Sequence, residues 1–204
     1  MSKLAIATAN GQLEVVQKLL EANANPDKLG PDGTSPLCAA ALWGNDELVS
    51  LLVEGNADVN IQNDGTKWTP LHAAAFQEHG KVCHILMMNG AKINIADHSG
   101  CTPVDYASIA EPIWPFFAAK GAVRTSKADL VRKGVIRKRT GDSPRPDEDD
   151  GSSGGIKGLS RPGSAYVRVQ RNPFANPGGS GGGSNHRATA SRAGSGKPPM
   201  HPGK

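Results

Sequence analysis

Cysteines and aromatic residues are scarce in this chain. Cys38, Cys83 and Cys101 are too few and too irregularly spaced for a disulfide framework. No segment approaches the roughly 18 apolar residues of a membrane span, and no secretory signal is read ahead of the first helix. The expected setting is intracellular and cytoplasmic. Catalytic signatures are missing as well. No Gly-rich phosphate loop follows a strand, the carboxylates are scattered, and no nucleophile has a base near it in sequence. His79 and Cys83 stand four apart with His84 beside them, a spacing a metal could use. Cys83, however, lies on an apolar helical stripe, which makes the three structural. No catalytic residue, cofactor or metal is expected.

What the chain does have is a recurring motif. Thr69-Pro70-Leu71-His72-Ala73-Ala74 is matched upstream by Ser35-Pro36-Leu37-Cys38-Ala39-Ala40 and downstream by Thr102-Pro103-Val104-Asp105-Tyr106-Ala107, at offsets of 34 and 33 residues. Leu4 and Gly11 extend the register 33 residues before Leu37 and Gly44. After each motif comes an apolar stripe at helical spacing: Val15, Val16, Leu19, Leu20; Leu48, Val49, Leu51, Leu52; Val82, Cys83, Ile85, Leu86. Asn23, Asn56 and Gly90 follow, residues that accept the left-handed conformation closing a helix. A period near 33 with this motif reads as stacked helix pairs joined by turns.

The chain therefore resembles the ankyrin-repeat family. The resemblance implies an all-α solenoid of about four helix-turn-helix units, near 1–30, 31–64, 65–97 and 98–122; composition adds a disordered or extended C-terminal tail. Neighbouring units supply one another's core, so a run of four suffices for stability. The fourth departs from the pattern: Pro112 and Pro115 require its second helix to start late and stay short. Trp114, Phe116 and Phe117 on that unit either cover the third repeat or form a docking patch.

The resemblance also implies binding in place of chemistry, as an adaptor or assembly subunit with a protein partner, and the basic C-terminal tail suits a partner that is acidic or part of a large assembly. His72 occupies the family's structural histidine position. Partners of such stacks meet the turn tips and the exposed side of the first helices. The positions carried over are Leu42 and Trp43, Phe76 and Gln77, and Tyr106 and Ile109. The tips are 28–33, 62–68 and 96–101, the last containing His98, and the second is one residue longer. Trp68, at the end of that longer tip, reads as the strongest interface candidate, because an aromatic there has little core to enter.

At about residue 123 the composition changes. Residues 1–122 hold 7 Lys+Arg against 13 Asp+Glu, and residues 123–204 hold 16 against 6. An acidic body thus carries a basic, Gly-rich tail, read as a basic junction (123–140) and a low-complexity segment (141–204) that cannot bury enough apolar surface to order itself. Arg132, Lys133, Arg137, Lys138 and Arg139, continued by Arg168 and Arg171, would attract any polyanion. The alternative function is accordingly association with RNA or another nucleic acid through the tail, with nuclear or cytoskeletal localisation. Few aromatics are available there for base stacking. Two local signals remain: Ser126 with Asp129 has the spacing of a capping box, and the alternation of Tyr166 to Arg171 suits an extended segment pairing with a partner's strand edge.

Overall fold

The computed structural model describes residues 2–138 and 166–169. Four helix pairs follow one another: α1 (Lys3–Ala9) and α2 (Leu13–Glu21), α3 (Pro36–Trp43) and α4 (Asp46–Glu54), α5 (Pro70–Gln77) and α6 (Gly80–Met88), α7 (Pro103–Ala107) and α8 (Trp114–Ala119). The recurring motif sets the start of the first helices. Pro36, Pro70 and Pro103 sit in the first turn, where their missing N–H costs nothing. The Ser35 hydroxyl accepts from the Cys38 N–H at 3.1 Å and caps α3. The His72 imidazole returns the favour in α5, where Nδ1 accepts from the Thr69 N–H at 3.0 Å. In α7 the same service falls to Asp105, whose carboxylate accepts from the Thr102 N–H at 2.7 Å.

First helices stack in the order α1, α3, α5, α7, and second helices in the order α2, α4, α6, α8. Small residues line the inner stack: Ala39, Ala40, Ala41, Ala73, Ala74 and Ala75 are all buried. They let successive first helices approach closely, while Leu48, Leu52, Val82 and Leu86 fill the space between the layers. The corner between the helices of a pair needs a left-handed residue. Gly44 provides it at φ 72, and it also has no room for a side chain, since a Cβ would meet the His79 ring at 2.6 Å.

The turn tips repeat one another in detail. Each is closed by a main-chain bond between equivalent residues: Gly30 N–H to Thr34 O (2.8 Å), Asn63 N–H to Trp68 O (2.9 Å) and Asp97 N–H to Cys101 O (2.7 Å). Adjacent tips are then joined by Asp64 N–H to Gly33 O (2.9 Å) and His98 N–H to Thr66 O (3.0 Å).

The prolines of the fourth pair act as their positions require: α8 begins at Trp114 and runs six residues. Phe117 is buried and Phe116 lies against His84, so this end covers the third repeat. The folded body then continues past residue 122. Ser126 caps a further helix, α9 (Lys127–Arg132), and two short strands, β1 (Ile136–Lys138) and β2 (Tyr166–Arg168), pair antiparallel. Leu130, Val135 and Ile136 join the common core. This sheet is an addition to the helical stack, and it draws much of the expected basic junction into the fold. The remainder of the low-complexity segment lies outside the described residues.

Candidate functional site

The face expected to bind is built from the first helices, the tips and, unexpectedly, the chain's own β2. Its candidate residues are placed very differently from one another. Trp43, at the end of α3, is 64% exposed, and His98 stands exposed on its tip. Gln77 and Ile109 are half-buried.

Trp68 corrects the sequence-based expectation, since it is only 2% exposed. The extra residue of its tip is accommodated where Gly65 and Lys67 both take left-handed conformations, at φ 62 and 57. The indole lies inward, where Nε1–H donates to Asp97 Oδ2 at 3.1 Å. Tyr106 donates its hydroxyl to the same oxygen at 2.9 Å, and it too is buried. Phe76 and His72 complete the cluster, with ring centroids 5.1 and 6.4 Å from Trp68. Trp68, Phe76, Tyr106 and Leu42 are thus buried in the fold in place of standing open as contact residues. The equivalent positions carried the signal: Thr34 and Cys101, one period on either side of Trp68, are also buried.

His72 is fixed at both nitrogens. Nδ1 accepts from Thr69, so the proton resides on Nε2, which donates to the Cys101 carbonyl at 3.2 Å. Burial lowers its pKa to about 4, outweighing the opposing pull of the Cys101 carbonyl and of Asp97 and Asp105. His79, Cys83 and His84 point to separate neighbours. The His79 ring meets the Leu42 carbonyl at 3.1 Å, Cys83 is fully buried with its thiol pushed up to about 12, and His84 packs on Phe116.

The basic cluster divides. Lys133 reaches Asp105 Oδ2 at 2.6 Å, and Thr125 donates its hydroxyl to Oδ1 at 2.7 Å. Burial alone would raise the Asp105 pKa, but these bonds, the Thr102 N–H and the Lys133 charge hold it below the usual carboxylate range. Arg132 pairs with Asp129 on its own helix. Arg168 is also committed: its guanidinium lies 4.1 Å from the centre of the Phe76 ring and its Nη1 is 3.2 Å from Glu78 Oε1. Arg137 and Lys138 are exposed on β1, whereas Arg139 and Arg171 lie outside the described residues. Lys133 and Arg168 therefore serve the fold before any polyanion. The alternating segment at Tyr166 does pair with a strand edge, but that edge is β1 of the same chain, in the register Ile136 to Arg168 and Lys138 to Tyr166. Nothing in the sequence pointed to the carboxylate that meets this strand's arginine, because Arg168 and Glu78 are 90 residues apart.

A short inner stack of small residues, a ladder of joined tips and an outer layer of longer helices define a protein-interaction solenoid. The family model for ankyrin repeats (three copies) matches residues 4–97. Cyclin-dependent kinase 4 inhibitor B of Mus musculus is 35% identical over 104 residues, covering 51% of this chain and 79% of that protein. The chain belongs to the ankyrin-repeat family. Protein phosphatase 1 regulatory subunit 27 of Mus musculus is 38% identical over 96 residues, 47% of this chain and 62% of that protein. A putative E3 ubiquitin-protein ligase, XBAT31 of Arabidopsis thaliana, is 32% identical over 120 residues but is covered over only 26% of its length. Among the described residues no helix is long and apolar enough to cross a membrane.

Proposed function

We propose that this chain is a non-catalytic adaptor or assembly subunit that holds a protein partner against its tips and first helices. The observation that carries this reading is Trp43. It is the one large aromatic of the candidate face that is exposed, at 64%, and it sits at the end of a first helix on a rigid stack. A large aromatic held rigidly in water is the usual anchor of a protein interface. Gln77 closes α5 and His98 stands on a tip of the same series, while Ile109 follows two residues past the end of α7. Two of the similar proteins are by name an inhibitor of a kinase and a regulatory subunit of a phosphatase, which is in keeping with action through binding. The partner is a protein surface met in the cytoplasm. The basic residues left exposed, Arg137 and Lys138, add charge attraction towards an acidic partner.

Affinity purification identifies the partner, and association and dissociation rates at two salt concentrations test the interface. Trp43→Ala is expected to speed dissociation at least about tenfold while leaving folding stability within about 0.5 kcal/mol. Neutralising Arg137 and Lys138 is expected to slow association, with added salt masking the difference. An interface indifferent to Trp43→Ala, combined with binding that collapses with salt and follows the tail alone, would replace this reading with the polyanion one.

A further inference from the structure

Three observations converge where α5 ends. The first is a backbone anomaly. Gly11 and Gly44 turn the helix corner in two repeats at φ 71 and 72, and the equivalent residue of the third repeat is Glu78, held left-handed at φ 63. A residue with a Cβ is less at ease in this conformation than glycine, and the one present brings a carboxylate that faces Arg168. The second is the occupant. Arg168 of β2 ion-pairs with Glu78 with its guanidinium carbon 4.1 Å from the Phe76 ring centre, and the two charged side chains are only 14% and 12% exposed. No arginine stands anywhere in residues 1–122, so the guanidinium that meets Glu78 comes from this later segment. The third is incompleteness: Arg168 Nε and Nη2 are buried without a hydrogen-bond partner among the described residues. The strand that delivers the arginine therefore carries an uncompensated desolvation cost in its own groove.

We propose that the groove between β1 and the end of α5 is a recognition site for an extended, arginine-bearing segment of a protein partner, and that Tyr166–Arg168 is its in-chain occupant. This deepens the binding role proposed above and rests on it. Recognition combines two elements. The edge of β1 supplies main-chain pairing, shown by the antiparallel register and by the Val169 N–H donating to the Val135 carbonyl at 2.9 Å. Side chains on alternate positions supply specificity: residue 168 enters the Phe76–Glu78 pocket, and residue 166, on the same side of the strand, packs on the core beside Lys127. Arginine suits the pocket better than lysine because its planar guanidinium can stack on the ring and pair with the carboxylate together. A partner strand with the same arginine and with acceptors for Nε and Nη2 has an advantage over β2 and displaces it.

The probe is a labelled synthetic peptide with the sequence of residues 163–172, titrated by fluorescence anisotropy with the full chain. The wild-type chain is expected to bind it weakly, because β2 already fills the groove. The full-length Arg168→Ala chain is expected to bind it at least tenfold more tightly, and Val167→Pro, which removes a strand N–H without touching the pocket, should do the same. Adding Glu78→Gly to either variant should cancel the gain, as should alanine in place of arginine in the peptide. Circular dichroism confirms that each variant keeps its helices. The proposal is overturned if neither released chain binds more tightly than wild type, or if the arginine-free peptide binds equally well. No external partner enters this assay, so its failure leaves the Trp43 interface standing. A Trp43→Ala variant that no longer holds its partner yet binds the peptide normally would separate the two surfaces.

Discussion

Individual residues of this chain do work that their neighbours in the motif do not. His72, Cys38 and Asp105 occupy one repeat position, yet each solves the local problem differently. Cys38 is buried with its thiol pushed up to about 12, His72 bridges two repeats as a neutral ring, and Asp105 exchanges the ring for a charge that Lys133 satisfies. The His72 pKa is lowered on folding from 6.5 to about 4. Its neutral form thus contributes stability that is fully present above pH 6.5 and is lost as the pH falls towards 4, an effect on the order of 3 kcal/mol. The depressed Asp105 adds a loss of the same sign at lower pH, through its folded titration range. Urea unfolding at pH 7 and pH 4.5 measures the loss, and NMR titration of the His72 ring assigns it. A ring titrating at its ordinary value would contradict the buried, neutral assignment. Trp68 makes the second prediction at this scale. Because it fills the interface between the third and fourth repeats, Trp68→Ala is expected to cost about 3–5 kcal/mol in denaturant unfolding. A variant of unchanged stability would return Trp68 to the surface.

Among the elements, the second helices show how a stripe is graded by depth. Leu48, Val49 and Leu52 of α4 are buried, and Leu51 is only half-buried at the flank of the same helix. Periodicity alone assigned all four to one stripe, since it reports direction around the helix and not the distance to the next repeat. Leu52→Ala should therefore destabilise the chain by about 2–5 kcal/mol, with Leu51→Ala costing distinctly less. Paired denaturation curves test the ranking, and equal costs would refute it. The tips tell a similar story. Their boundaries could be read from the repeat, including the extra residue before Trp68, but the side to which Trp68 turns depends on Asp97 one repeat later offering its carboxylate.

At the scale of the whole molecule, the stack is completed by chain that the repeat pattern does not include. Asp105 is held by Lys133 and Thr125, the Cys101 thiol reaches the Lys133 carbonyl at 3.5 Å, and Arg124 makes a two-pronged pair with Glu111 at 3.0 and 2.8 Å. Leu130, Val135 and Ile136 are buried by the same contacts. A chain ending at residue 122 is thus expected to be less stable than one ending at residue 138, by about 2 kcal/mol or more, since the stack loses the apolar cover that Leu130, Val135 and Ile136 give it. Urea midpoints of the two truncations settle it, and matching midpoints would mean that α9 and β1 are ornaments. A body with a net negative charge also gains by this arrangement, because Lys133 and Arg168 neutralise carboxylates that would otherwise be buried alone.

The sequence by itself determined the repeat. A motif recurring at 33 and 34 residues fixes helix starts through proline and capping chemistry, and fixes the inner stack through alanines, all of which act within a few residues of one another. It also determined the late start of α8 and the cap of α9, for the same local reason. The tertiary structure alone decided which aromatics face water and where the basic residues go. The burial of Trp68 goes with its bond to Asp97, and the commitment of Arg168 requires Phe76 and Glu78, the latter 90 residues before it and brought close only by β2 folding back on β1. Contacts of that range leave no periodic trace in a single sequence, because they depend on the path of the chain and not on its local spacing.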